Sequence, residues 1–419
     1  MSQATEHSSG NPANVAGHWS ESLWIPVLAG GLIMGLALGV RHVQGLFLIP
    51  VSMERGWSRE VFSFALAIQN LVWGLAQPLT GMIADRFGSA KVIAGGLVFY
   101  ALGILFMMQA NTPLAFVLST GVCIGIALSG TSFGAIYGTL SRAIPVQRRS
   151  WALGLAGAIG GFGQFAMVPA TQALISHWDW TGALLVIAFV VALLLPLAYP
   201  MRSRGDPSAL ANEDLSMMAA IGQAFRHRGF WLLNLGFLAC GFQLAFIATH
   251  LPAYLLDRGL NPASAVTALA IIALTNIAGT YLLGLWGGTL RRKYLLTGVY
   301  LARTAAMALF VLLPVSTWSV YLFAAAMGFL WLGTVPLTNG LISQIFGVRY
   351  ITTLFGFVFF GHQLGSFFGI WLGGHVFEAT GSYQGVWLLA MALGLIAALL
   401  HWPIDDRPVV RTSAGLVRT

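Results

Sequence analysis

Between residues 23 and 403 the sequence is built of apolar runs of roughly 20 to 30 residues, separated by short breaks that hold most of the charge. About 20 apolar residues make a helix long enough to cross a bilayer's hydrocarbon core, where every backbone amide must find its partner inside the protein. That leaves a bundle of membrane-crossing helices as the fold class. Twelve runs qualify, at 23–50, 60–84, 90–110, 113–143, 150–176 and 180–201, then 230–256, 262–288, 294–314, 318–346, 350–377 and 383–403. Only 8% of the residues are charged, against about a quarter in soluble domains, so a water-soluble fold would lack the polar residues to cover its core.

The twelve runs divide into two six-helix halves, 23–201 and 230–403. A polar linker, 202–229, separates them. In it Ile221, Ala224 and Phe225 recur at helical spacing ahead of Arg226, His227 and Arg228, which predicts an interfacial helix. Residues 1–22 are polar and lack Lys and Arg, so they read as a disordered tail and not as a signal peptide. Residues 404–419 form a second tail. Arg86, Lys91, Arg142, Arg148, Arg149, Arg202, Arg204, Arg291, Arg292, Lys293 and Arg349 fall in breaks on one side of the membrane, against Arg55, Arg59 and Arg258 on the other. By the positive-inside rule both tails are cytoplasmic. The +8 net charge is therefore an orientation signal, and nucleic acid is not an expected partner. Cys123 and Cys240 lie inside apolar runs without metal-ligand spacing, so no metal, cofactor or disulfide is expected.

One break carries a specific pattern. GMIADRFGSAK, residues 81–91, places Gly81, Asp85, Arg86, Gly88 and Lys91 between the second and third runs. It resembles the signature between the second and third helices of the major facilitator superfamily. That resemblance implies two six-helix bundles enclosing a solute site, with this turn as a latch at the inner end. The chain also repeats itself weakly. Ile49-Pro50 followed by Glu54-Arg55-Gly56 is matched by Leu251-Pro252 followed by Asp257-Arg258-Gly259. The signature returns as GLWGGTLRRK, residues 284–293, with Gly288 where the first copy has Asp85. Transporters built from internal repeats leave such traces.

None of the 13 carboxylates lies in the middle of a run. Carriers of cations need an embedded acid as counter-ion, so cationic cargo is disfavoured. Two arginines are embedded, Arg41 in the first run and Arg303 in the ninth. Arg41 is roughly 13 Å from the outer end of its helix at about 1.5 Å per residue, too deep to reach water easily. An anionic substrate would satisfy it, a guanidinium fork matching a carboxylate, as would a bond to its neighbours. For Arg303 a structural role is the stronger reading. His42, His250 and His362 are the embedded titratable groups that would carry a coupled proton. Gln69, Asn70, Tyr137, Gln164, Gln243, Asn276, Asn339 and Gln363 are polar residues at comparable depth, able to line a cavity or tie helices together. No nucleophile with an adjacent base stands out, so an enzyme is not expected.

Arg148-Arg149 followed by Ala152, Gly154, Leu155 and Ala156 resembles the entry to the fifth helix in the monocarboxylate transporter and oxalate/formate antiporter branch. The acidic first-helix signature of monocarboxylate transporters is absent, with VRHVQGLF in its place, and run 262–288 holds no charge. Arg41 is then the best anion site. The resemblance implies a monomeric secondary transporter of a bacterial-type inner membrane, moving a small organic anion, with a monocarboxylate favoured. The alternative is a proton-coupled drug efflux antiporter. Against it, Val117 to Gly121 lacks that class's fourth-helix arginine and 154–165 lacks its proline.

Overall fold

The computed structural model describes residues 12–57, 59–202 and 216–409, and among these all regular structure is helical. The first half runs α1 (Pro12–Val43), α2 (Leu48–Arg55), α3 (Arg59–Phe87), α4 (Ser89–Gln109), α5 (Pro113–Phe116), α6 (Ile124–Thr131), α7 (Phe133–Ala143) and α8 (Val146–Leu193). The second runs α9 (Met217–Arg226), α10 (Arg228–Asp257), α11 (Pro262–Thr289), α12 (Arg292–Leu312), α13 (Thr317–Phe329), α14 (Thr334–Phe346), α15 (Ile351–Thr380) and α16 (Gln384–His401).

Ten helical stretches among the described residues are long and apolar enough to cross a membrane. One of these, 146–198, bends back at Trp178 and Asp179 and so makes two passages. With α3, whose Gln69, Asn70 and Gln77 dilute its apolar character, the passages number twelve. The bend works because Asp179 tolerates a positive φ of 57° while its carboxylate accepts from the Thr181 and Gly182 amides that open the next passage.

The repeat seen in the sequence has a backbone cause. Gly56 and Gly259 close α2 and α10 with φ of 68° and 77°, a left-handed turn that any side chain would strain. The interfacial helix forms as α9, capped by Ser216 and tucked in through Ala220 and Ala224.

Three expectations need correction. Helix α1 starts at Pro12, so residues 12–22 are helical where a disordered tail was expected, while 1–11 lie outside the described residues. Extending an existing helix adds a hydrogen bond per residue without a new nucleus, which favours continuing past the membrane. The fourth and tenth passages, expected to be continuous, are broken at mid-depth, at Ser132 and at 330–333. Within lipid such breaks persist only where other groups take the released backbone bonds. Gln77 donates to the Ser129 carbonyl at 3.0 Å, and Trp73 donates to the Ser132 hydroxyl at 3.1 Å. At the second break Arg303 donates to the Leu330 and Trp331 carbonyls, and Asn276 accepts from the Leu332 amide at 3.0 Å.

Candidate substrate site and gate

The halves meet along two seams, α3 against α15 and α8 against α11. Both start at the end of the bundle that holds Asp85, Arg142, Arg149 and Arg292, hereafter the basic end. Asp85 closes the first seam. Its carboxylate accepts from the backbone amide and hydroxyl of Thr353 at 2.7 and 2.8 Å, and pairs with Arg142. Thr353 lies in the first turn of α15, where amides have no partner within the helix and the helix dipole favours negative charge. An acid of one half thus caps a helix of the other. Arg142 also donates to Thr352 at 3.0 Å and to Ser89. The Asp85 side chain is fully buried and that of Arg142 is 5% exposed. Gly81 makes the approach possible, since a Cβ there would stand 2.6 Å from the Thr352 carbonyl.

The sequence reading of this turn as one latch of Asp85, Arg86 and Lys91 is therefore too broad. Arg86 is exposed over the Phe87 ring, and Lys91 lines a surface cavity of about 490 Å³ with Tyr199 and Arg202. Gly88, at φ 97°, turns the chain between α3 and α4. The acid's real partners are Arg142 and Thr353. Arg142 was visible in the sequence only as an orientation charge.

The second seam is closed by glycine. A Cβ at Gly284 would fall on the Gly154 backbone, and Gly288 stands against Ser150. Arg292 crosses between the halves to donate to the Ser150 hydroxyl at 2.8 Å, and it also reaches Gln344 at 2.6 Å. Asn339 accepts from Ser141 of the opposite half at 2.9 Å. Arg148 is exposed and Arg149 half-buried at the start of α8.

Further in, aromatic rings from both halves form a floor. Trp73 of α3 and Phe359 of α15 lie 5.0 Å apart, with Phe133 of α7 at 6.2 Å from Phe359 and the buried Tyr137 next to Phe133. Arg41 lies over Trp73, 5.3 Å from the ring centre, and donates to the Asn70 side-chain oxygen. Among the described residues its Nε is buried without a hydrogen-bond partner and no carboxylate pairs with it. On the other side His362 stacks on Phe359 at 5.4 Å and packs against Phe237 at 4.7 Å. Arg41 and His362 are thus linked through two rings, one from each half.

The other candidates lie elsewhere. His42 is exposed. His250 bonds the Ile370 carbonyl at 2.9 Å, and Gln243 donates to the Ala390 carbonyl at 2.9 Å, both within the second half. Asn276 and Arg303 hold the break at 330–333, and Arg303 also contacts the Cys240 sulfur at 3.2 Å. Trp73 and Phe359 were missed as site residues, because nothing in their local sequence marks them as neighbours of Arg41. Among the described residues no cluster fit to hold a metal ion occurs.

Two bundles of six passages, meeting over a polar site and latched at one end, define a transporter of the major facilitator type. The chain belongs to the Major Facilitator Superfamily, whose family model matches residues 27–370, and within it to the monocarboxylate transporter branch. Human monocarboxylate transporter 11 is 30% identical over 397 residues, covering 90% of this chain and 82% of that protein. An uncharacterized transporter of the superfamily from Escherichia coli, YhjX, is 23% identical over 362 residues, covering 83% and 87%. Among solved structures, FucP in its outward conformation superposes with a TM-score of 0.71 at 15% identity, covering 91% of this chain and 98% of that one. The chain is a multi-pass membrane transporter, in a superfamily of transporters rather than enzymes.

Proposed function

We propose that the protein is a secondary active transporter of a small organic anion, a monocarboxylate being the best fit, working by alternating access. The observation that carries this is Arg41, a guanidinium on the aromatic floor with a neutral partner in Asn70 and no acid to balance it. A carboxylate has the charge and the two-oxygen geometry to complete it. Relatives named as monocarboxylate transporters support the same chemistry. His362, the histidine nearest that floor, is the proposed carrier of a coupled proton.

With the seams closed from the basic end inward, the solute would enter from the opposite side, and parting of α3 from α15 and of α8 from α11 would release it. The two halves, 23–201 and 230–403, rock about the site, with 202–229 as their link and 404–419 as a tail. By its arginine distribution the basic end is cytoplasmic, both termini lie there, and the membrane is a bacterial-type inner membrane. The protein acts as a monomer.

Proton-coupled drug efflux is the rival reading. A cationic drug would meet Arg41 with no compensating acid at the floor. Counterflow in proteoliposomes separates the two, using radiolabelled monocarboxylates in one series and labelled lipophilic cations in the other. Exchange of carboxylates but not cations supports the anion reading, and the reverse pattern refutes it.

A further inference from the structure

The two seams are related by the internal repeat, yet they are charged differently. At the first seam Arg142 has its acid in Asp85. At the second the corresponding position is Gly288, and the nearby cations have no such acid. Arg149, in the first turn of α8, has an Nε cut off from solvent and no hydrogen-bond partner among the described residues. Arg292 reaches the hydroxyl of Ser150, the residue next to Arg149, at 2.8 Å, which brings the two guanidinium groups to the same join. Among the described residues Arg292 bonds the neutral Ser150 and Gln344, and the Asp406 carboxylate acts on it without a hydrogen bond.

The nearby acid, Asp406, is already occupied. Arg291 donates to both of its carboxylate oxygens, and Gln344 donates to its backbone carbonyl at 2.8 Å. Lys293 is bound to the Ile404 carbonyl at 2.7 Å. Two like charges therefore come together at the join between the halves, beside the positive end of a long helix, at the place where the first seam has a carboxylate. Helix starts with adjoining arginines favour anionic oxygen.

We propose that an anionic oxygen group binds between Arg149 and Arg292 and supplies the counter-charge that the second seam lacks, so that anion binding favours closure at the basic end. Two sources share this chemistry, the phosphate of an anionic lipid and a free anion such as the carboxylate of a transported solute. The site is separate from Arg41 and stands whether or not Arg41 binds solute.

The test uses the full chain, purified and delipidated in neutral detergent, and reads the unfolding temperature. Inorganic phosphate is added against sodium chloride at matched ionic strength. In parallel, the protein is compared in nanodiscs of phosphatidylcholine with and without phosphatidylglycerol. A rise of about 3–6 °C is expected per tenfold gain in the folding equilibrium for a unit of this size. A rise with phosphate assigns the site to free anions, and one confined to phosphatidylglycerol discs assigns it to lipid. Arg149→Gln and Arg292→Gln should each lose the rise, while Arg41→Gln should keep it. Gly288→Asp, which puts a carboxylate at the vacant position, should raise the starting temperature and abolish the response. If that variant fails to fold, the arginine variants still decide. No rise in any condition, or an equal rise in Arg149→Gln, would overturn the proposal.

Discussion

Asp85→Asn is the most informative single change at the gate, because it keeps the shape of the side chain and removes its charge. Asp85 and Arg142 belong to the same half, so their ion pair survives opening. Parting of the halves breaks the bonds from Thr353 to Asp85 and the bond from Arg142 to Thr352, and the charge of Asp85 acts directly on the first pair. A hydrogen bond to a charged group contributes about 1.5–3 kcal/mol net. Both bonds from Thr353 end on one carboxylate oxygen while the other oxygen faces Arg142, so an Asn oxygen turned to Thr353 keeps both bonds, each in weaker neutral form. The closed state should then lose about 1.5–3 kcal/mol, a shift of roughly 10- to 150-fold toward opening at the basic end. The assay is double electron–electron resonance between spin labels at Phe87→Cys and Leu290→Cys, two exposed positions on opposite halves of the basic end, in a Cys123→Ser background. Asp85→Asn should move population to a longer label separation, and Thr353→Ala should give a smaller shift in the same direction. An unchanged distance distribution in Asp85→Asn would refute the reasoning.

Other outcomes follow from packing and charge. Arg303→Met keeps the apolar bulk but leaves the Leu330 and Trp331 carbonyls without their donor, which should lower stability by about 1–3 kcal/mol per carbonyl and show as a reduced unfolding temperature in detergent. Gly241→Ala would drive a methyl into the His362 carbonyl where α10 packs on α15, and overpacking of this kind costs about 1–3 kcal/mol, read in the same assay. Hydrogen bonds from Arg291 hold the Asp406 carboxyl below the usual carboxylate range. The stabilisation from that pairing is full above the ordinary carboxylate pKa and is lost as pH falls through the depressed value. Acid unfolding should therefore be less steep in Arg291→Gln than in the wild type.

The passages were legible because crossing a membrane demands length and apolarity, which are properties of consecutive residues. The Gly81–Lys91 turn and the paired Gly56 and Gly259 were legible for the same local reason. The breaks at Ser132 and 330–333 were not, because the apolar pattern runs through them. The groups that permit them, Gln77, Asn276 and Arg303, are contributed by other helices, 27 to 56 residues away in the chain. Asp85 stood out in the sequence, but its partners Arg142 and Thr353 lie 57 and 268 residues beyond it. The place of Arg41 within an apolar run was readable, whereas its position over Trp73 depends on how α1 lies against α3. Glycines could be read as sites of close packing, but which helix each one admits is decided only by the assembled bundle, as with Gly154 and Gly284.

The anion site is tested most directly by equilibrium binding of radiolabelled monocarboxylate to purified protein, comparing wild type with Arg41→Gln, with folding of both checked by thermal unfolding. Saturable binding to the wild type and its loss in a folded Arg41→Gln protein is the expected result. Undiminished binding to that variant would contradict Arg41 as the group that holds the anion.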